Sequence, residues 1–532
     1  MKDIIRNNII EYDIHLNNRD KNNSINTQLI KELDQQHKES IQKENEIRHF
    51  IKKNSTGEES KEITITYKNK LKEHLISHKK IQEELSTKIS FLPNILNYAT
   101  PIGKDEEDNQ IIQIDKTCVK TEFNNNLIKD IQNHELYIET LQLIQQYEHK
   151  PYITSAISSN WINNLTISIE DRFINMFANS TYTIEIIDQK ISIQKLIEEY
   201  NQLYNYFIYQ QANTIGNNIK SLFALKFPNI NEYLLKPNIP KSLSHDEIGK
   251  KMHILHMETG ATITGTRFAL MSDQLSELSR AIGYFLLDLQ KTNHFREIKI
   301  PSVASNKSFY NAGKLPKFAD QSFKINDNQR LISTGEIILA NIINNTCIDD
   351  KKLPIRYCTL SPCFRSEAGS LGRDTKGIIR LHEFDKVELF TYCNKNDEQR
   401  ELQYILKCAS KALDLLNIKY RVVILCSGDV GNDSAQTYDI EAWLPSQQRF
   451  LEISSCSSVG YYQTCRSNAK YQFNKNKNFL VTLNGSGLAI TRLLAIIIET
   501  YYNPEENSIT IPEALQKYMN NQNKILPQPT LF

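Results

Sequence analysis

Hydrophobic residues recur at helical spacing in two long, charged stretches near the N-terminus. From Thr27 to about Lys53, the residues Leu29, Ile30, Leu33, Ile41 and Ile47 form a narrow stripe, which Asn54-Ser55-Thr56-Gly57 interrupts. Between Tyr67 and Ser90, Leu71, Leu75, Ile81, Leu85 and Ile89 repeat the pattern among Lys and Glu, and Pro93 stops it. The two stretches predict an antiparallel helical hairpin. At ~1.5 Å rise per residue, a helix of about 27 residues projects about 40 Å. Its apolar stripe is too thin for a core of its own, so the hairpin reads either as a dimerising or partner-binding coiled coil or as an arm for nucleic acid.

From about Cys118 to Pro240 the pattern changes. This stretch is rich in Asn, Ile, Tyr and Gln, nearly free of Gly, and bounded by Leu235-Lys236-Pro237-Asn238-Ile239-Pro240. It reads as an inserted unit, with an amphipathic helix over Ile193, Leu196, Ile197, Tyr200, Leu203, Tyr204, Phe207 and Ile208 and an alternating strand from Tyr182 to Ile187. Its tyrosines at helical spacing read as core, and no chemistry is assigned to it. From His245 onward short β-like runs alternate with helices, and the remaining residues suffice for one enzyme-sized α+β domain. Leu275, Leu278, Ile282, Phe285 and Leu289 stripe one helix that leads into Arg296-Glu297-Ile298-Lys299-Ile300 and Pro301. Such a helix suits a subunit interface or an ordinary core-facing position equally well.

Length and composition narrow the class. A chain of 532 residues exceeds a single core, so two or three folded units are expected. With 40% hydrophobic and 23% charged residues, wholesale disorder and collagen-like repeats are excluded. A net charge of +1 supplies no global field for nucleic acid, so binding of that kind must come from local basic patches. The nine cysteines are odd in number and include no C-x-x-C pair, which points to reduced thiols and away from a disulfide framework or zinc ribbon. The longest apolar run, near Leu493 to Ile498, is far too short for a bilayer. Asp3, Glu11 and Asp13 break up the N-terminus, so a cytoplasmic location is expected, with an organellar address left open.

Three clusters carry the chemistry. The first runs Cys363-Phe364-Arg365-Ser366-Glu367-Ala368-Gly369, through a Gly-rich loop with Arg373 and Lys376, to Arg380 and the stretch Glu383-Phe384-Asp385-Lys386-Val387-Glu388. A strand, a basic loop and a returning strand would present a row of cations suited to phosphate, though such a run is also the mark of a solvated face. In the second, Leu451 to Ser458, Glu452 and Ser455 can offer oxygen ligands to a Mg²⁺ that keeps water and phosphate oxygens as its other ligands. The third is Leu483-Asn484-Gly485-Ser486-Gly487-Leu488-Ala489, whose glycines are expected to let the backbone approach a ligand; Arg492 then opens an apolar helix and needs an anionic partner or an aromatic face.

In this order and spacing the three clusters resemble motifs 2 and 3 of the class II aminoacyl-tRNA synthetases, and FRSEAG, GRDT, FDKVE, TYDIEAWLP, EISSCS and LNGSGLA resemble the seryl-tRNA synthetases among them. The resemblance covers about residues 1–117 and 241–520. It implies an α+β protein: an N-terminal antiparallel helical hairpin, or coiled-coil arm, at 1–100, a connector at 101–117, the insertion at 118–240, and at 241–532 a catalytic domain built on an antiparallel sheet with flanking helices, not a Rossmann fold. It implies a homodimer through the helix before Pro301. The hairpin becomes an arm that grips tRNA(Ser), and tRNA(Sec) where one exists, with Lys68, Lys70, Lys72, Lys79 and Lys80 directed at phosphates.

For the site, the resemblance implies that L-serine and ATP react, with Mg²⁺, to seryl-adenylate. Arg365 is expected to bridge the serine carboxylate and the α-phosphate, and Arg492 to lie against adenine and reach the γ-phosphate. Glu452 and Ser455 match metal ligands, and Glu367, Arg373 and Phe384 further ATP contacts. Thr334 and Glu336 are expected at the ammonium group of serine, and Glu388, Asn484 and Ser486 at its hydroxyl. Departures from the pattern are Gly335 for Ala, Glu383 for Gln, Asn432-Asp433-Ser434 for an aromatic and small residues, Ser458 for Asn, and Cys465 for Arg. Two rival identities are a catalytically silent synthetase-like binding protein and a ligase that charges a carrier protein.

Overall fold

The computed structural model describes residues 9–19, 25–53, 60–97, 99–114, 239–368 and 376–530. The break at Asn54–Gly57 and the helix and strand expected inside the insertion lie outside these residues.

Among the described residues, three helices build the N-terminal part: α1 (Ile9–Arg19), α2 (Thr27–Lys53) and α3 (Ser60–Ser90). The last two run antiparallel, as their stripes require. Ser40 hydrogen-bonds with His74 and His78 at 3.2 and 3.0 Å, and Phe50 stacks on Tyr67 with ring centroids 4.0 Å apart. The stripe closes into a core only at the root, where Ile30, Leu33 and Leu85 meet Leu92 and Tyr12 and Leu16 of α1. Farther out it stays partly open, and Ile41 is 41% exposed. No helix was assigned to α1 from sequence, although Ile9, Tyr12 and Leu16 stand at i, i+3 and i+7; at 11 residues it is too short to persist alone and is held by docking. Tyr12 Oη donates to the Pro93 carbonyl at 2.8 Å, and Arg19 donates to the carbonyls of Asn94, Val430, Gly431 and Ser434.

The larger unit is organised by one sheet. Its strands are β1 (Gln110–Ile114), β2 (Arg296–Glu297), β3 (Ile355–Phe364), β4 (Glu383–Cys393), β5 (Tyr420–Ile424), β6 (Gln436–Leu444), β7 (Arg449–Gly460) and β8 (Val481–Ala489), in the spatial order β1-β5-β6-β7-β8-β4-β3-β2. Neighbours are antiparallel except β2 and β3. The segment expected as a connector therefore contributes the edge strand β1, and of the run from Arg296 to Ile300 only Arg296–Glu297 forms a strand.

Alternation along β4 shows how the sheet divides its faces. Val387 and Leu389 point to one side, into a core shared with α5 (Asp273–Thr292), α6 (Glu398–Leu415) and α8 (Ile490–Tyr501). Phe384, Lys386 and Glu388 point to the other, followed on the same face by Phe390 and Tyr392, which join a second core with Phe309, Ile332, Ile337 and Leu339. Thus one end of the second face is covered by the segment before β3, and its polar middle is left as a cleft floor. The apolar stripe of α5 faces the protein's own core: Leu275, Leu278 and Ile282 are all fully buried. Gly485 also faces the helices. A Cβ there would stand 2.4 Å from Cγ2 of Ile405 on α6, so this glycine of the third cluster allows helix–sheet packing; the expectation that it clears space for a ligand does not hold.

Behind the cleft, α8 is tied to α4 (His245–Lys251). Glu499 accepts from the backbone N–H of His245 (3.0 Å), from His245 Nδ1 (2.8 Å) and from the backbone N–H of Ser446 (2.9 Å). The other ring nitrogen of His245 accepts from the Ile378 N–H at 3.1 Å, so the imidazole carries its proton on Nδ1. His245 and Glu499 are 1% and 3% exposed. His245→Ala is expected to leave a buried amide and a buried carboxylate oxygen each short of a partner and to lower stability by about 2 kcal/mol, read from urea unfolding.

Candidate active site

The cleft floor is written in the pleat of four strands. Phe384, Lys386 and Glu388 come from β4, Asn484 and Ser486 from β8, Thr437, Asp439 and Glu441 from β6, and Glu452, Ser455 and Ser457 from β7. In a regular strand Glu452 and Ser455, three apart, would face opposite sides. The pairing Ile440↔Ser454 followed by Glu441↔Glu452 leaves Ile453 as an extra residue, and this bulge turns both oxygen-bearing side chains into the cleft while Ile453 stays in the core. A second register shift follows Ser486, which sits opposite Glu388.

Of the residues expected from sequence, Thr334, Glu336, Arg365, Glu367, Glu388, Glu452, Ser455, Asn484 and Ser486 line one cavity of ≈ 580 Å³. Phe384 and Arg492 line an adjoining recess together with Arg365, Glu367, Glu452 and Ser486. Arg373 lies outside the described residues.

At one end the acidic groups are met by lysines. Lys386 Nζ lies 2.5 Å from Glu388 Oε2 and donates to Thr334 Oγ1 at 2.8 Å, and Thr334 in turn donates to Glu388 Oε2 at 2.6 Å. Among the described residues, the buried atoms Glu388 Oε1 and Asn484 Oδ1 have no hydrogen-bond partner, so the pocket presents two acceptors to any O–H or N–H that enters. Glu336 receives Gln463 Nε2 on Oε1 at 2.7 Å and Lys314 Nζ near Oε2 at 2.9 Å. Burial raises its carboxyl above the ordinary range; Lys314 pulls hardest the other way, and Asp433 and Glu388 add to the rise.

The other end belongs to the two arginines. Arg365, just beyond β3, stands over the Phe384 ring at 5.2 Å, and its backbone is fixed by His382, whose Nδ1 donates to the Arg365 carbonyl at 2.8 Å. Arg492, in the first turn of α8, lies 3.1 Å from Glu452 Oε2 and donates to the carbonyls of Glu452 (2.7 Å) and Ile379 (3.3 Å). The anionic partner demanded of it is therefore Glu452. The surrounding cleft walls work against that charge although its side chain is 47% exposed, and Arg492, helped by Arg365 and Lys386, holds the carboxylate below its usual range. Arg380, expected among the phosphate cations, is instead paired with Glu367 at 2.5 Å.

Burial, then Glu452, pushes Asp439 well above the usual carboxylate range, and its Oδ1 is unpartnered among the described residues. Glu452, Ser455 and Asp439 thus bring oxygen donors to the cleft side of adjacent strands, the donor type a hard divalent cation takes. Among the described residues no three His, Cys, Asp or Glu side chains gather into a metal cage, so an ion here would need water and ligand oxygens to fill its shell.

Sequence reading assigned no role to Lys314, Lys386 and Asp439, and marked Asp433 only as a departure from the resembled motif. Lys386 was within reach, because it shares a face with Glu388 two residues on. Lys314 and Asp433 were not, being 119 residues apart. Of the departures, Gly335 is accounted for by Thr359, whose Cγ2 would lie 2.8 Å from a Cβ there. Ser458 gives its hydroxyl to the buried Glu398 of α6.

A carboxyl whose pKa is raised on folding lends stability below its unfolded pKa and loses it as pH rises through the folded one. Asp439→Asn is therefore expected to raise the melting temperature of the ligand-free protein at pH 8, with the gain shrinking toward pH 5; equal gains at both would contradict the assignment.

Residues 320–501 match the sequence model of the class II tRNA synthetase core domain (G, H, P, S and T). The chain is 41% identical over 352 residues to the serine–tRNA ligase of Orientia tsutsugamushi strain Ikeda, spanning 64% of this chain and 81% of that protein. It is 38% identical over 399 residues to that of strain Boryong, spanning 73% and 89%. In fold it is similar to the seryl-tRNA synthetase of Pyrococcus horikoshii solved with ATP, with a TM-score of 0.72 at 23% identity over 99% of this chain and 100% of that one. By these relatives the chain belongs to the serine–tRNA ligases, a family of class II aminoacyl-tRNA synthetases.

Proposed function

We propose that the cleft activates L-serine with ATP and passes the seryl group to tRNA(Ser). The observation that carries this reading is the meeting of Arg365, Glu452 and Arg492, from three distant parts of the chain, around one recess that opens onto the Glu388 pocket. Serine enters with its hydroxyl toward Glu388 Oε1, Asn484 and Ser486, and its ammonium toward Glu336 and Thr334. Without a hydroxyl those acceptors would stay unpaired, which disfavours alanine by roughly 10⁴. Arg365 faces the serine carboxylate and the α-phosphate. ATP lays its base over Phe384, against Arg492, with Glu367 as a further contact.

In the first step a carboxylate oxygen of serine attacks the α-phosphorus, the bond to the bridging oxygen breaks, and pyrophosphate leaves. Two anions must come together, so the protein contributes alignment and positive charge rather than covalent chemistry. Mg²⁺ held by Glu452 and Ser455 would supply further charge on the phosphates. In the second step a ribose hydroxyl at the tRNA 3′ end attacks the carbonyl carbon and AMP departs. The hairpin of α2 and α3 reaches for the tRNA: Lys68, Lys70, Lys72, Lys79 and Lys80 are all exposed, as phosphate contacts must be. A homodimer through the segment before Pro301 and a cytoplasmic place of work complete the reading; no helix among the described residues is long and apolar enough to cross a membrane.

Purified protein is expected to exchange pyrophosphate into ATP with serine and no other amino acid, and Arg365→Ala to lower that exchange by roughly 10³-fold or more. No exchange with any amino acid would favour a silent paralogue; exchange without charging of tRNA(Ser) would favour a carrier ligase. Replacing residues 42–76 with a short glycine turn keeps the root of the arm. It is expected to preserve exchange and remove charging, and equal loss of both would contradict the division of labour.

A further inference from the structure

Lys314 is a side chain that neither the motifs nor the two-step reaction explains. It projects into the serine end of the cleft from the loop after the short helix Asn306–Asn311, and its ammonium lies 2.6 Å from Asp433 Oδ2 and 2.9 Å from Glu336 Oε2. Asp433, one of the departures from the resembled motif, is buried, and Lys314 is partly buried. The loop that carries Asp433 is held at its backbone by Arg19 and by Asn94, whose Nδ2 donates to the Asp433 carbonyl at 3.0 Å. Neither partner can swing away freely, so the Asp433–Lys314–Glu336 chain is a built feature of the pocket wall.

The charges at this end of the cleft can be counted. Glu336, Asp433 and Glu388 face Lys314 and Lys386, so three carboxylates against two ammonium groups leave one negative charge, the complement of one substrate ammonium. Glu336 is the carboxylate assigned to that ammonium. Burial, Asp433 and Glu388 all raise its carboxyl above the ordinary range, and Lys314, 2.9 Å from Oε2, is the group that pulls hardest the other way. Asp433 has the opposite task. Lys314 held by Glu336 alone would lie entirely on the oxygen that the substrate needs, whereas Asp433 draws it aside.

We propose that Lys314 and Asp433 form a paired, built-in counter-ion that sets the charge of the serine pocket and determines its affinity for the substrate ammonium. Neither touches the reacting atoms; both act through Glu336 as positioning residues. The inference rests on the assignment of Glu336 to the serine ammonium.

The test is a double-substitution cycle read by steady-state pyrophosphate exchange, with the Michaelis constants for serine and for ATP measured separately. Lys314→Gln is expected to raise the serine constant roughly tenfold, the scale of one unit of carboxylate pKa. Asp433→Asn, which leaves Lys314 to Glu336 alone, is expected to raise it in the same sense. The ATP constant should stay within about twofold in each, because the ATP end is lined by other groups. Lys314→Gln combined with Asp433→Asn removes both the cation and the carboxylate it offsets, and serine affinity is expected to return to within about threefold of wild type. A double variant no better than the worse single one, or single variants with unchanged serine constants, would overturn the proposal. So would serine and ATP constants rising together, which would reduce the pair to a structural brace. Should Lys314→Gln not fold, Asp433→Asn alone decides by the same split. Wild-type protein without serine-dependent exchange would instead remove the reading of Glu336 on which the pair depends.

Discussion

Charges of opposite sign are interleaved on one face of the sheet, and the site depends on that arrangement. Lys386 and Glu388 share a strand two residues apart, Arg492 leans on Glu452 across the recess, and Lys314 stands between Glu336 and Asp433. A buried ion such as Glu336, Glu388 or Asp433 loses several kcal/mol of hydration, so these are tolerable only because their partners are already there. The same arrangement is what two anionic reactants and a cationic amino group require. On the proposed reading each substrate charge would meet a complement held in position beforehand, with little reorganisation left for the moment of reaction.

The opposite face of the sheet supplies the stiffness. Residues alternating with the polar ones sink into the core beneath α5, α6 and α8, and the bulge at Ile453 lets a buried isoleucine and two cleft-facing oxygen donors share one short stretch. Helix α8 serves both sides. Its first turn places Arg492 in the recess, and two turns later Glu499 grips His245, which holds the amide of Ile378 beside the carbonyl that receives Arg492. The arm is tied to the same framework. Tyr462 and Arg466 of α7 (Tyr462–Ser467) donate to the carbonyls of Leu92 and Ser90 at its root, and the intervening Gln463 donates to Glu336.

Much of this was legible in the chain itself. The first arm helix ends where its stripe ends, and the second begins at Ser60, before its apolar repeat becomes regular at Leu71. The described motif residues line one cleft and its adjoining recess because each motif is a local strand or turn whose pleat fixes which side chains share a face. What could not be read is what depends on long-range closure. Helix α1 is too short to persist without docking, Asp433 and Lys314 meet only when two distant loops fold together, and Gly485 looked like a ligand glycine until Ile405 arrived from α6. The bulge that unites Glu452 and Ser455 is a property of pairing with β6, not of their own strand.

The central claim, that two distant guanidinium groups serve one adenylate beside a serine pocket, is tested most directly by a structure with a non-hydrolysable seryl-adenylate analogue. The expected result places Arg365 on the linkage that replaces the phosphate, the base between Phe384 and Arg492, and the seryl hydroxyl within hydrogen-bond reach of Glu388 Oε1. An analogue bound away from this cleft, or seated in it with neither arginine engaged, would contradict the account.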